Sequence, residues 1–308
     1  IQNKNGLWLN KQEGSAKHEF YYNDNKISVR YDFGEYHNRI FKNLIKKTDR
    51  PKILVLGDSF TFGWLLEDKN TFVYKIQKNY GEYEIINAAA GGWGTSDFLS
   101  YIKTYCKIIK PQEIIIFYNS SDNMRSINSN LYKLENNRIV EKKNKISKLK
   151  KKLNDFDYIY NFLVENFQFI QLLRKIYNLK SDARVNVNTE TKKTLKEPIT
   201  KNEFEFLKKL YLELYLETTK CNTNLNIVEL SWPSIVVPQK FLKLNEEIKN
   251  FLIYENINFL SLKNEMDLIA LEIDNYSIPL DTHPNIKGSN FIYESFIKKQ
   301  LFEKFNNE

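Results

Sequence analysis

The sequence predicts an α/β protein built as a three-layer, doubly wound parallel sheet, with a strand-rich N-terminal extension and a helical insertion. Three observations carry this. Short aliphatic runs, Lys52-Ile53-Leu54-Val55-Leu56, Glu84-Ile85-Ile86-Asn87 and Glu113-Ile114-Ile115-Ile116-Phe117-Tyr118, alternate with segments of helical spacing. From Ile53 to Leu56 the first run is unbroken apolar sequence, as a strand buried on both faces must be. It ends in Gly57-Asp58-Ser59-Phe60, a sharp turn into a helix, which places a hydroxyl at the carboxyl end of a buried strand, where open α/β sheets hold their ligands.

Taken in order, residues 1–50 hold short stretches such as Phe20-Tyr21-Tyr22 and Ile27-Ser28-Val29-Arg30-Tyr31, separated by Asn, Asp and Gly turn signals. They predict an extension packed on the main domain, which spans residues 51–308. Helices fit at 70–79 and 96–109. Residues 125–200 interrupt the rhythm with Lys- and Asn-rich sequence. A helix is expected near 154–178, where Phe156, Ile159, Tyr160, Phe162, Leu163, Phe167, Ile170 and Leu173 make a wide apolar face suited to packing on the parent domain. The polar stretch Ser181 to Pro198 reads as a mobile loop. The sheet then resumes: helix near 202–219, strand at 226–230, helix near 239–254, strand at 257–260 or one residue shifted, and a final helix after Gly288.

At 308 residues with 42% hydrophobic content, one large domain with additions is expected. The net charge of +8 comes from lysines scattered along the chain rather than from an arginine-rich module. That argues against nucleic acid and leaves acidic glycans or anionic lipid as attracted surfaces. Cys106 and Cys221 are expected as two buried free thiols, with a single disulfide as the alternative. There is no apolar run of about 18 residues, so no span or signal peptide is visible. The chain begins at Ile1 with polar sequence, and any anchoring or export segment is expected to precede it. No residue pattern calls for a metal or a cofactor, and none is expected.

Serine is a poor nucleophile at neutral pH, so Ser59 needs a base in reach and donors for a developing oxyanion. Of three histidines, His18 and His37 read as ordinary surface or packing residues, which leaves His283 as the base. Asp281, two residues earlier, can orient it, and Pro284 stiffens the turn. Asp58 is expected to bond nearby backbone amides. Gly91, Gly92 and Gly94 each permit the close approach of a peptide amide to an oxyanion. Neither a dinucleotide fingerprint nor a phosphate loop fits these glycines.

Together the blocks Gly57-Asp58-Ser59, Asn87-Ala88-Ala89-Ala90-Gly91-Gly92-Trp93-Gly94-Thr95, Asn119-Ser120-Ser121-Asp122 and Asp281-Thr282-His283 resemble the SGNH, or GDSL, hydrolase family, from about Lys52 to Leu301. The resemblance implies Ser59 as nucleophile and first oxyanion amide, Gly92 as the second, and Asp281 and His283 as the remaining triad. Ser121 stands where the family carries the asparagine that helps hold the oxyanion, so the hole is expected to use Ser121, or Asn119 or Asn123 in its place. Asp122 is expected to tether loops. The Asp-x-His spacing resembles the branch with bacterial polysaccharide O-acetyltransferases and acetylesterases. That branch implies short acyl esters of a cell-envelope or exported glycan, an acyl-donor partner protein where transfer occurs, and a periplasmic or envelope location, with membrane contact through a preceding segment. A catalytically weak module that binds glycan or a protein partner through the same cleft is the alternative.

Overall fold

In the computed structural model, the residues described are 7–42, 44, 50–129, 131–142, 199–235 and 238–299. The expected helix at 154–178 and the loop after it lie outside them. The chain begins with three antiparallel strands, β1 (Gly14–Tyr22), β2 (Asn25–Phe33) and β3 (Arg39–Ile40). There follow β4 (Lys52–Gly57), α1 (Ser59–Phe62), α2 (Phe72–Asn79), β5 (Glu84–Asn87), α3 (Thr95–Ile109), β6 (Glu113–Tyr118) and α4 (Asp122–Asn128). A hairpin, β7 (Tyr132–Glu135) with β8 (Arg138–Glu141), comes next. Then come α5 (Lys201–Lys220), β9 (Asn224–Glu229), α6 (Gln239–Tyr254), β10 (Asn258–Ser261), α7 (Lys263–Asp267), α8 (Ile273–Tyr276) and α9 (Ile286–Lys298).

Eight strands form one sheet in the order β1-β2-β3-β5-β4-β6-β9-β10. The last five are parallel, with Ile53 beside Ile85 and Glu113, and Ile115 beside Asn226. Because side chains alternate along a strand, β4 feeds two cores. Leu54 and Leu56 join Ile114, Ile116 and Ile227 against α3, α5 and α6. Ile53 and Val55 join Ile115, Phe117 and Val228 against α2 and α9. This is the three-layer arrangement, and it explains the unbroken apolar runs. Each such side chain contributes about 1.5–3 kcal/mol of burial.

The N-terminal strands are part of the sheet rather than an extension laid upon it. β1 and β2 pair from Gly14–Phe33 to Tyr22–Asn25 across a tight turn in which Asn23 takes a positive φ of 48°. β3 then reaches the parallel strands through one register pair, Arg39 with Asn87. Val29, Tyr31 and Phe33 form a third small core with Phe62 and Ala89.

After residue 125 come the end of α4 and the β7–β8 hairpin, tied down where Ser100 Oγ donates to the Tyr132 hydroxyl at 3.0 Å. Two further expectations need correction. α9 starts at Ile286, ahead of Gly288, because Asn285 caps it by accepting from the Gly288 amide at 3.0 Å. Cys106 and Cys221 are joined as a disulfide between the ends of α3 and α5, with Cα atoms 6.2 Å apart. Helix packing side by side brings the two together, which spacing in sequence could not reveal. No helix among the described residues is long and apolar enough to cross a membrane.

Candidate active site

The carboxyl end of β4 sets the site. Asp58 leaves the strand in an extended conformation and caps α1, its carboxylate accepting from the Phe60 amide at 2.9 Å. Ser59 is therefore the first helical residue, and it is half-buried. Across the same edge, His283 Nε2 lies 2.7 Å from Ser59 Oγ, and His283 Nδ1 lies 2.5 Å from Asp281 Oδ1. An ionised carboxylate only accepts, so Nδ1 carries the hydrogen and Nε2 is left to accept from the serine hydroxyl. Burial pushes the Asp281 carboxyl up, but hydrogen bonds from the His283 ring and amide outweigh it and hold the group below the usual carboxylate range.

The loop that carries His283 is fixed from several sides. Thr282 O accepts from Trp232 Nε1 at 3.0 Å and from Ser234 Oγ at 2.7 Å. Ser277 bridges Pro284, and the Ile278 amide donates to His283 O at 2.9 Å. Asn285 Nδ2 donates back to Asn275 O and Ser277 O. The Phe60 ring stands 4.6 Å from the imidazole, restricting its rotation.

Gly91 and Gly92 form the opposite rim. A Cβ placed on Gly91 would sit 4.0 Å from Ser59 Cβ, whereas one on Gly92 would meet nothing within 4 Å; Gly92 has φ 77°, a conformation that suits glycine. Gly91 is thus the neighbour of the nucleophile, and Gly92 the residue that turns the chain.

The loop after β6 departs from expectation. Ser121 Oγ is buried and has no partner. Asn123 turns away to α3, α5 and α6: its Oδ1 accepts from Thr95 Oγ1 and the Tyr211 hydroxyl, and its Nδ2 donates to Asn245 at 2.8 Å. Asn119 lies beside Asp58, its Nδ2 at 3.4 Å from both carboxylate oxygens and its Oδ1 accepting from the Trp232 amide. None of the three offers an open donor as expected, because each is buried in the packing beneath the cleft.

Asp58 and Asp122 serve the framework. Both are fully buried and share Arg125, whose Nη1 donates to Asp58 at 3.0 Å, Asp122 at 2.8 Å and Trp93 O at 2.8 Å. Burial pushes Asp122 well up, Asp58 adds to this, and Arg125 opposes it. Asp97, accepting from the Gly94 amide at 2.9 Å, is pushed up to about 6 by burial. One guanidinium thereby ties the nucleophile turn to the glycine loop and α4.

The structure brings together Ser59, His283, Asp281, Gly91 and Gly92. It also brings in residues that no sequence signal singled out: Arg125, Trp64, Trp232 and Ser234. Arg125 alone had a hint, standing three residues after Asp122 on a helix. His37 is a packing residue, its Nδ1 2.7 Å from Asn10 O, but His18 lies against Trp64 at the edge of the site. No cluster of metal-ligating side chains occurs among the described residues.

No protein-family model matches the chain, and no curated protein does. Among solved structures it is similar to the psychrotrophic esterase EstA from Pseudoalteromonas sp., at 13% identity over 83% of this chain and 99% of that one, with a TM-score of 0.47. A member of the lipolytic G-D-S-L family from Veillonella parvula is 10% identical over 80% of this chain and 96% of that one, TM-score 0.45. A catalytic mutant of the acetylxylan esterase Axe2 from Geobacillus stearothermophilus is 12% identical over 83% and 95%, TM-score 0.44.

Proposed function

We propose that this chain is a serine-dependent acyl ester hydrolase of the SGNH type. The observation that carries the reading is the unbroken chain from Ser59 Oγ through His283 to Asp281, with links of 2.7 and 2.5 Å. In the proposed cycle His283 Nε2 takes the hydroxyl proton as Ser59 Oγ attacks the ester carbonyl. Asp281 stabilises the resulting imidazolium. The amides of Ser59 and of the Gly91–Gly92 turn face the developing oxyanion, and dipoles fixed in advance are what such a site supplies. His283 then gives its proton to the departing alkoxide, leaving an acyl-serine. A second nucleophile, deprotonated by His283, reverses these steps and frees the enzyme.

Water as that nucleophile makes an esterase; a sugar hydroxyl makes an O-acyltransferase, which would need an acyl-donor partner. We take an acetyl or short acyl ester of an envelope or exported glycan as the substrate, on the resemblance of the Asp281-Thr282-His283 block. The Cys106–Cys221 disulfide supports an oxidising, extracytoplasmic location. One observation favours the second reading, a weakly catalytic glycan- or protein-binding module: the buried, unpartnered Ser121 leaves the hole without a side-chain amide. The test is labelling with a fluorophosphonate together with hydrolysis of p-nitrophenyl acetate. The probe should attach at Ser59, and Ser59→Ala should abolish both labelling and turnover. Equal turnover by wild type and Ser59→Ala would leave only the binding reading.

A further inference from the structure

With Ser121 buried and unpartnered, Asn119 beside Asp58 and Asn123 bonded to Asn245, oxyanion binding falls to backbone amides. They come from two separate segments, the Ser59 turn after β4 and the Gly91–Gly92 turn after β5. Such donors act in concert only when their separation is fixed before the reaction, since one oxygen must meet both at hydrogen-bond distance. The sheet fixes the near end of the glycine turn: the Ala88 amide donates to Val55 O at 2.9 Å and the Ala90 amide to Gly57 O at 3.2 Å. Beyond Ala90 the turn stands clear, and a Cβ on Gly92 would meet nothing within 4 Å.

Two bonds from Trp93 hold the far end. Its Nε1 donates to Trp8 O at 2.7 Å, and its carbonyl accepts from Arg125 Nη1 at 2.8 Å. The second leads back to the nucleophile, because the same nitrogen donates to Asp58 Oδ2 at 3.0 Å. It also donates to Asp122 Oδ1 at 2.8 Å, a partner three residues earlier on α4 that steers the arginine stem. Nη1 carries two hydrogens and serves three acceptors, so three oxygens crowd one atom. One belongs to the residue before Ser59 and another to the residue after Gly92.

We infer, on the hydrolase reading above, that Arg125 is a positioning residue of the oxyanion hole: by holding Asp58 and Trp93 to one point, its Nη1 sets the gap between the Ser59 amide and the amides of the Gly91–Gly92 turn. The region after β6 then serves the oxyanion at one remove, through a cation on α4 that touches the frame of the hole.

The test uses the full chain and separates kcat from KM on p-nitrophenyl acetate, with the folded fraction followed by thermal melting. Arg125→Ala should lower kcat about a hundredfold and leave KM within about twofold, because misplaced amides weaken the transition state rather than the bound ester. The Arg125 side chain is 29% exposed, so a free guanidinium ion can enter the gap left by truncation. Guanidinium chloride, far below denaturing concentrations, should then raise kcat of Arg125→Ala about tenfold, while sodium chloride at equal ionic strength should not. A folded Arg125→Ala with wild-type kcat overturns the inference, and so does a loss that guanidinium leaves unchanged. Truncation also strips two buried carboxylates of their shared cation, and should Arg125→Ala fail to fold, Arg125→Lys decides. Lysine keeps the charge but ends one bond short, so kcat should fall at unchanged KM and the amide NMR signals of Gly91 and Gly92 should shift. Wild-type kcat or unmoved signals in Arg125→Lys would end the inference. If the wild type itself shows neither labelling at Ser59 nor turnover, the hydrolase reading falls. The two glycine signals then judge the positioning alone, and signals unmoved in Arg125→Lys defeat that as well.

Discussion

Ser121 stands where an asparagine would help hold an oxyanion, yet its hydroxyl is buried and touches no partner. An unmade hydrogen bond in a dry site is a cost, not a reserve. Ser121→Ala should therefore leave kcat on p-nitrophenyl acetate unchanged and hold or slightly raise the melting temperature. A fall of about a hundredfold, the worth of one oxyanion donor, would return Ser121 to the hole. Ser59, Asp281 and His283 are legible in sequence because each sits beside covalent neighbours with a geometric meaning: a strand-ending glycine, a two-residue spacing, a proline. Trp64, Trp232 and Ser234 are not. They act through contacts between loops that are near only once the sheet is assembled, and their types have many other uses. The fate of Asn119 and Asn123 was equally closed, since which way a buried amide points depends on Asp58 and Asn245, 61 and 122 residues away.

At the scale of elements, α9 and the loop before it behave as one part. Asn285 caps the helix and anchors the loop, and Gly288 lets the two meet: a Cβ there would fall 2.2 Å from Tyr276 O, 2.8 Å from the Trp232 ring and 3.1 Å from Pro284. Alanine is the better helix former by about 1 kcal/mol, but here it must displace a backbone carbonyl and the neighbour of His283. Gly288→Ala should lower the melting temperature and reduce Ser59 labelling more than the lost stability accounts for. A melting temperature at or above wild type would show that the loop yields freely. Strand and helix positions along β4, β5, β6, α3 and α6 follow from hydrophobic pattern because burial on both sheet faces leaves a strong imprint. The β7–β8 hairpin escapes that logic: it is short, mostly exposed and charged. Nor does pattern reveal that β3, two residues long, would join the N-terminal strands to the parallel sheet.

For the whole molecule, the disulfide closes a loop of 115 residues between two helices on one face. Chain-entropy reasoning gives such a link roughly 3–5 kcal/mol, independent of the active site. The bond lies at the amino ends of the strands, since Cys221 precedes β9, while Ser59 follows β4 at the other end. A reducing agent should thus lower the melting temperature by roughly 5 °C or more, yet leave Ser59 labelling at room temperature unchanged. Loss of labelling on reduction, with the fold intact, would mean the two ends of the sheet communicate. The free-thiol expectation fails at this scale because it is a statement about two residues, and the bond is a statement about where two helices end.

The position of β9 has a consequence for how the chain comes into being. It lies between β6 and β10, yet 105 residues separate the end of β6 at Tyr118 from the start of β9 at Asn224. During synthesis β4, β5 and β6 emerge long before it, so the growing sheet presents the bare edge of β6, with Ile114 and Ile116 awaiting cover, until the ribosome has made α5 and β9. His283 arrives later still, 224 residues after the serine it will serve. Nascent chains truncated before the last helix would then be sticky and inert, and reactivity at Ser59 would appear abruptly, as the closing event of assembly.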